Sequence, residues 1–201
     1  KVPNRRLMFA SSCAVYPLEP ERTLSEDMSL NGEAPYAMSK VTGERMMDFY
    51  KREKDLNYCA LRCFNIYGPG QRSDSAYSAV IPTFFASAKK GKSLILNGGG
   101  EQTRDFIHVS DVVNAYLLMS RSIQTGVFNV GSGRETSIRE VAEMVALLNS
   151  EVVIEVAPAK SGDASASCEE IRKIKTVCNF TPSISIGEGL KTLSNEIWST
   201  N

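Results

Sequence analysis

Histidine is nearly absent: His108 is the only one in 201 residues. A metal site built from clustered imidazoles is therefore unavailable. The five cysteines, Cys13, Cys59, Cys63, Cys168 and Cys178, are odd in number and contain no C-x-x-C pair. Neither a disulfide framework nor a zinc knuckle is indicated, and free thiols suit a reducing compartment, so a cytoplasmic location and no metal are expected. An excess of one charge is missing too. Lys+Arg and Asp+Glu stand at 23 each, which argues against a nucleic-acid partner or a polybasic membrane patch. No run of 18 apolar residues exists, and the opening KVPNRRLMFASS has no signal-peptide pattern. Internal repeats and low-complexity segments are also lacking. What remains, 42% hydrophobic and 23% charged residues, is an ordinary globular composition.

Apolar runs alternate with helical patterns along the chain, as in an α/β protein with a largely parallel sheet. Strands are expected at 6–11 (RLMFAS), 57–66 (NYCALRCFNI), 93–98 (SLILNG), 104–109 (RDFIHV), 127–130 (VFNV) and 151–156 (EVVIEV). Helices are expected at 36–53 after Pro35, at 77–90, at 110–122 with Ser110 as N-cap, and in two tail segments at 167–178 and 186–198. Ser137 followed three residues later by Glu140 is a capping box before a further helix. The stretch 159–167, AKSGDASAS, reads as a loop.

One short segment suggests chemistry. APYAMSK (34–40) sets Tyr36 four residues ahead of Lys40, and on a helix those positions share one face. An ammonium beside a phenol favours its phenolate, which makes a proton acceptor. Three glycine clusters bear on nucleotide binding. YGPGQ and NGGGEQ lack a strand before and a helix after. GSGRET (131–136) has that context, with Glu151 and Glu155 about 20 residues on, but its third glycine is replaced by Thr136. A tight turn into a capped helix explains the same letters.

The segments SSCAVY, YAMSK, LRCFNIYGPGQ, RDFIHVSDVV and FNVGSG, in that order, resemble the extended short-chain dehydrogenase/reductase family. The nearest likeness is to its NAD-dependent nucleotide-sugar epimerase/dehydratase branch, of UDP-glucose 4-epimerase type. The resemblance implies the C-terminal portion of a Rossmann-type parallel sheet with a smaller α/β nucleotide-sugar-binding domain. It divides the chain into a partial Rossmann domain (1–68), a substrate-domain segment (69–103), a return segment (104–131) and a nucleotide-sugar domain (132–201).

By that likeness the catalytic residues are Ser12, Tyr36 and Lys40. Ser11, Tyr36, Lys40 and Phe64 would face NAD. Ser12, Asn65, Arg104, Lys160 and Asp163 would bind the nucleotide-sugar, most simply a UDP-hexose. Lys160 stands in KSGD where the family has an Arg, so its bidentate grip on phosphate is lost, and Pro17 stands where the family usually has Gly. Tyr36 would take the proton of the sugar 4-hydroxyl as hydride leaves C4, with Ser12 bonded to the same hydroxyl. The 4-keto sugar would then receive hydride on its other face. Dehydratases of the family carry Asp-Glu after the catalytic Thr, and decarboxylating relatives carry a Glu two places after it. Here those positions are Cys13 and Ala14, which favours epimerisation. A dehydratase or reductase on the same scaffold, or a non-catalytic binding module, is the alternative. Arg104 could instead be a surface residue paired with Asp105, and His108 reads as core.

The family's glycine-rich NAD loop and first strands have no counterpart before Lys1. That amounts to roughly a hundred residues, one βαβαβ half of a Rossmann domain. The expectation is a truncated form, inactive alone, whose strand at 6–11 lacks a neighbour. The homodimer expected of the full-length parent would use the Tyr36 helix, and its partner helix lies in the missing part.

Overall fold

The computed structural model describes residues 6–17, 23–73, 79–149, 151–159 and 171–199. In chain order the elements are β1 (Leu7–Ser12), α1 (Pro35–Lys54), β2 (Tyr58–Cys63), β3 (Asn65–Tyr67), α2 (Val80–Lys89), β4 (Leu94–Asn97) and β5 (Thr103–His108). They continue with α3 (Val109–Arg121), β6 (Gly126–Val130), β7 (Glu135–Ser137), α4 (Ile138–Leu148), β8 (Ile154–Ala157), α5 (Arg172–Cys178) and α6 (Ile186–Ser199). The chain is a Rossmann-type α/β fold.

The first sheet runs β1–β2–β6, all parallel, with Ser12 opposite Cys63 and Cys63 opposite Val130. All six residues of β2 are buried, as befits the centre of a parallel sheet covered on both faces. β1 lies at the edge among the described residues, and its Leu7 is 45% exposed. The second sheet pairs β3 with β5 in parallel and β5 with β7 antiparallel; the third pairs β4 with β8 in parallel. One core lies around Leu61, Phe128, Ile107 and Met119, and another around Tyr67, Phe85, Leu96, Val141 and Leu190.

Helix α1 carries the residues of interest. Pro35 occupies its first turn, and its C-cap Asp55 is left-handed (φ 50°) with its N–H on Tyr50 O. Ala37, Val41, Glu44 and Met47 form its buried stripe. A methyl on Gly43 would run into the Phe9 ring, so this glycine allows α1 to lie close on β1.

Several local expectations are corrected. The run 57–66 is not one strand: it breaks at Phe64, whose N–H turns to Val130 O at 3.0 Å, and β3 then enters another sheet. Ser110 is not the N-cap of α3. His108 is, because its Nδ1 accepts the Ser110 N–H at 3.3 Å. The strand expected at 104–109 accordingly ends one residue early. The run 151–156 begins in a turn closed by Val152 N–H on Asn149 O at 3.0 Å, so its strand starts at Ile154. Helix α2 starts at Val80, with 74–78 outside the described residues. Residues 160–170 also lie outside them, and with them Lys160, Asp163 and Cys168.

Candidate active site

Tyr36 and Lys40 lie one turn apart on α1, and the Lys40 Nζ sits 5.3 Å from the Tyr36 ring centre. The same ammonium donates to Ala10 O at 2.8 Å, near the C-terminal end of β1, and stands 5.4 Å from the Phe9 ring. The pair is thereby fixed against the strand that ends in Ser12. Ser12 is half-buried and opens a single 3-10 turn, Cys13–Val15, its Oγ accepting from Ala14 N–H at 3.2 Å. Among the described residues nothing accepts the Ser12 hydroxyl proton, and the Tyr36 phenol makes no hydrogen bond. Tyr36 is 57% exposed. The 3-10 turn holds no acidic side chain.

Behind this open face lies a buried polar chain that the sequence reading did not pick out. Glu44 accepts from the Ser11 hydroxyl and holds Arg62 with a fork, Nε to Oε1 at 3.0 Å and Nη2 to Oε2 at 2.7 Å. Arg62 also donates to the Tyr16 hydroxyl at 2.8 Å and lies 4.8 Å from that ring. The Tyr16 hydroxyl donates to Asn129 Oδ1 at 2.6 Å. Burial, opposed by Arg62, pushes the Tyr16 phenol up to about 12, so it remains a donor. Ser11, expected on the cofactor side, thus spends its hydroxyl on Glu44. Phe64, expected by the likeness to meet the cofactor through its main chain, has a buried side chain.

Asn65 and Arg104 meet in a cleft of about 440 Å³, lined also by Tyr67, Phe84, Asn97 and Gln102. The volume is in the range of small-molecule sites. Asn65 Nδ2 donates to Asp105 O at 2.9 Å, and Arg104 Nη1 donates to Thr103 O at 2.7 Å. No residue of β1 or α1 lines this cleft, so the chain brings together two separate sets: Ser12 with Tyr36 and Lys40, and Asn65 with Arg104.

The Arg104–Asp105 pairing does not form. The Asp105 carboxylate is fully buried and accepts from Ser132 N (2.7 Å), Ser132 Oγ (2.6 Å), Gly133 N (2.6 Å) and Arg134 N (3.0 Å). Gly133 is left-handed (φ 72°), which turns successive N–H groups inward as an anion nest. The GSGRET loop therefore already holds its anion, a side chain of β5, and it leads into β7 rather than directly into a helix. The pyrophosphate reading of that loop is excluded. Asp111 does the same for the tail, accepting from Ser183 N (3.0 Å), Ser183 Oγ (2.8 Å) and Ile184 N (3.1 Å).

The residues on the open face suit a nicotinamide nucleotide. Lys40 has three N–H donors and commits one to Ala10, so two are left that could meet hydroxyl groups of such a ligand. Among the described residues no helix is long and apolar enough to cross a membrane, and no group of three or more His, Cys, Asp or Glu could hold a metal ion.

A family model described as "NAD dependent epimerase/dehydratase family" matches residues 1–131. A UDP-glucose 4-epimerase of Mycolicibacterium smegmatis is 32% identical, over 92% of this chain and 60% of that protein. A UDP-N-acetyl-alpha-D-glucosaminuronate decarboxylase of Bacillus cytotoxicus is also 32% identical, over 94% of this chain and 62% of its own. Among solved structures, a UDP-N-acetylglucosamine 4-epimerase of Methanobrevibacter ruminantium, in complex with UDP-N-acetylmuramic acid, superposes with a TM-score of 0.91 at 31% identity. It is matched over 98% of this chain and 64% of its own. The chain thus spans about 60% of the length of the curated relatives it matches.

Proposed function

The chain belongs to the NAD dependent epimerase/dehydratase family, and we propose that within it these residues serve epimerisation of a nucleotide-sugar at C4, through a transient 4-keto sugar. The observation that carries this reading is the Tyr36–Lys40 pair fixed by Lys40 to the end of β1, beside a 3-10 turn free of acids. Tyr36 accepts the proton of the sugar 4-hydroxyl and later returns it. Lys40 holds its ammonium beside the phenol and against the Ala10 carbonyl, which keeps the pair oriented toward the end of β1. Ser12, its Oγ accepting from Ala14, keeps its own proton to donate to the sugar oxygen. Asn65 and Arg104 grip the nucleotide half, where a guanidinium meets phosphate as a charge-assisted donor. NAD, when bound, supplies the hydride acceptor at C4 and gives the hydride back.

Epimerisation is preferred to the dehydratase and decarboxylase chemistry of relatives because neither Cys13 nor Ala14 can deliver or remove a proton as a carboxyl group does. A UDP-hexose substrate, a homodimer formed through α1 and a cytoplasmic location belong to the same proposal. Proton NMR tests it on the protein in its full-length form, which is incubated with NAD and, in turn, UDP-glucose, UDP-N-acetylglucosamine and UDP-glucuronate. A C4 epimer from at least one supports the reading. Loss of water or carbon dioxide instead would assign a different reaction.

A further inference from the structure

Glu44 and Arg62 are a carboxylate and a guanidinium at 2% and 3% exposure, in places where apolar side chains would pack. Removing two charges from water is costly, and an apolar pair of similar volume is often as stable or more so. Stability alone therefore does not account for the pair, and its location suggests another reason. Glu44 lies one turn beyond Lys40 on the same face of α1. Lys40 grips Ala10 O, and Glu44 accepts from the hydroxyl of Ser11, the next residue of β1. Two successive turns of the helix thus hold two successive residues of the strand that ends in Ser12. On its other side Glu44 is forked to Arg62 on β2. Arg62 reaches Tyr16, Tyr16 reaches Asn129 on β6, and the Asn129 N–H is held by Glu26 Oε1 at 2.9 Å. One chain of directional bonds runs from α1 across all three strands of the first sheet.

We propose that the Glu44–Arg62 pair is the positioning device of the active face, fixing the rotation and depth of α1 so that Lys40 meets the Ala10 carbonyl and stands beside Tyr36. An apolar pair would fill the same space, but it would let the helix turn or slide by the small amounts that hydrogen bonds forbid. Neither residue touches substrate; both act through Lys40. The purpose of this alignment rests on the function proposed above, whereas the alignment itself does not, and the two are tested separately.

The test is the rate at which Lys40 is acylated by an N-hydroxysuccinimide acetate ester, read by mass spectrometry on the intact protein without substrate or cofactor. The double variant Glu44→Met with Arg62→Met is expected to melt close to the wild type. Its Lys40 is expected to react about fivefold faster, the factor one hydrogen bond is worth, while the exposed Lys92 keeps its rate. A folded double variant with a wild-type Lys40 rate overturns the proposal and leaves the pair a packing element. Should the double variant not fold, Ser11→Ala decides, since it cuts only the β1 link and keeps the ion pair. A faster Lys40 supports the proposal, and an unchanged one overturns it. A full-length form that never epimerises a sugar would sink the proposed function and leave this measurement standing.

Discussion

Two adjoining turns of one helix carry charge under opposite conditions. The turn of Tyr36 and Lys40 is open: the phenol is mostly exposed, and the ammonium spends one donor on the protein. In the next turn Glu44 is buried with both carboxylate oxygens engaged. The open turn keeps hydrogen-bonding capacity for something that arrives, while the closed turn engages both of its carboxylate oxygens with the scaffold. Removal of a single group should therefore cost chemistry with little stability in the open turn, and stability first in the closed one.

The largest effect on stability belongs to the closed turn. Glu44→Ala leaves the Arg62 charge buried without its partner, a loss of about 3–5 kcal/mol by urea denaturation. A loss as small as that of a surface pair would break the contrast. The largest effect on chemistry belongs to the open turn. In the full-length form Tyr36→Phe should lower turnover at least about a hundredfold, with a change in unfolding free energy of about 0.5 kcal/mol or less. Near-normal turnover would remove Tyr36 as the proton acceptor.

The separate cleft should respond in a third way. Arg104→Ala should weaken UDP binding, followed by calorimetry, by about 10- to 100-fold, the value of a hydrogen bond to a charged group. Retained affinity with reduced stability would instead make Arg104 part of the scaffold. The smallest effect concerns His108, whose burial lowers its pKa although Asp111 and Glu196 work the other way. The fold thus prefers the neutral ring, whose Nδ1 caps α3. This stability is fully present above the ordinary histidine value near 6.5 and is lost as pH falls from there toward the lower folded value. The urea midpoint should drop as the pH falls from 7.5 to 5.5. In His108→Asn, which keeps a capping group, the drop should vanish.

Much of this contrast was legible in the letters, and some of it was not. Helical spacing was enough to put Tyr36 and Lys40 on one face, because i and i+4 are neighbours on any helix. The order of motifs was enough to pair Asn65 with Arg104, which share a cleft although they stand 39 positions apart. The buried network went unread because each member looks ordinary alone. A signal existed in the misfits: Glu44 falls in the apolar stripe Ala37–Val41–Met47, and Arg62 interrupts the apolar run of β2. An acid and a base each placed where a core residue belongs imply one another, since neither could be buried unpaired. The role of Asp105 was hidden for a different reason. Its nest of N–H groups lies 27 to 29 residues away, and no local pattern announces that a glycine loop is filled by a distant side chain. The break at Phe64 was equally non-local, set by a bond to Val130 on another strand.

The most direct test of the account is the fate of hydrogen at C4. The protein in its full-length form is incubated with NAD and a UDP-hexose deuterated at C4, and the product is read by NMR. If Tyr36 handles only the hydroxyl proton, the C4 epimer forms with deuterium still at C4. An epimer carrying solvent hydrogen at C4, or a product that has lost water or carbon dioxide, would contradict the role assigned to the open turn of α1.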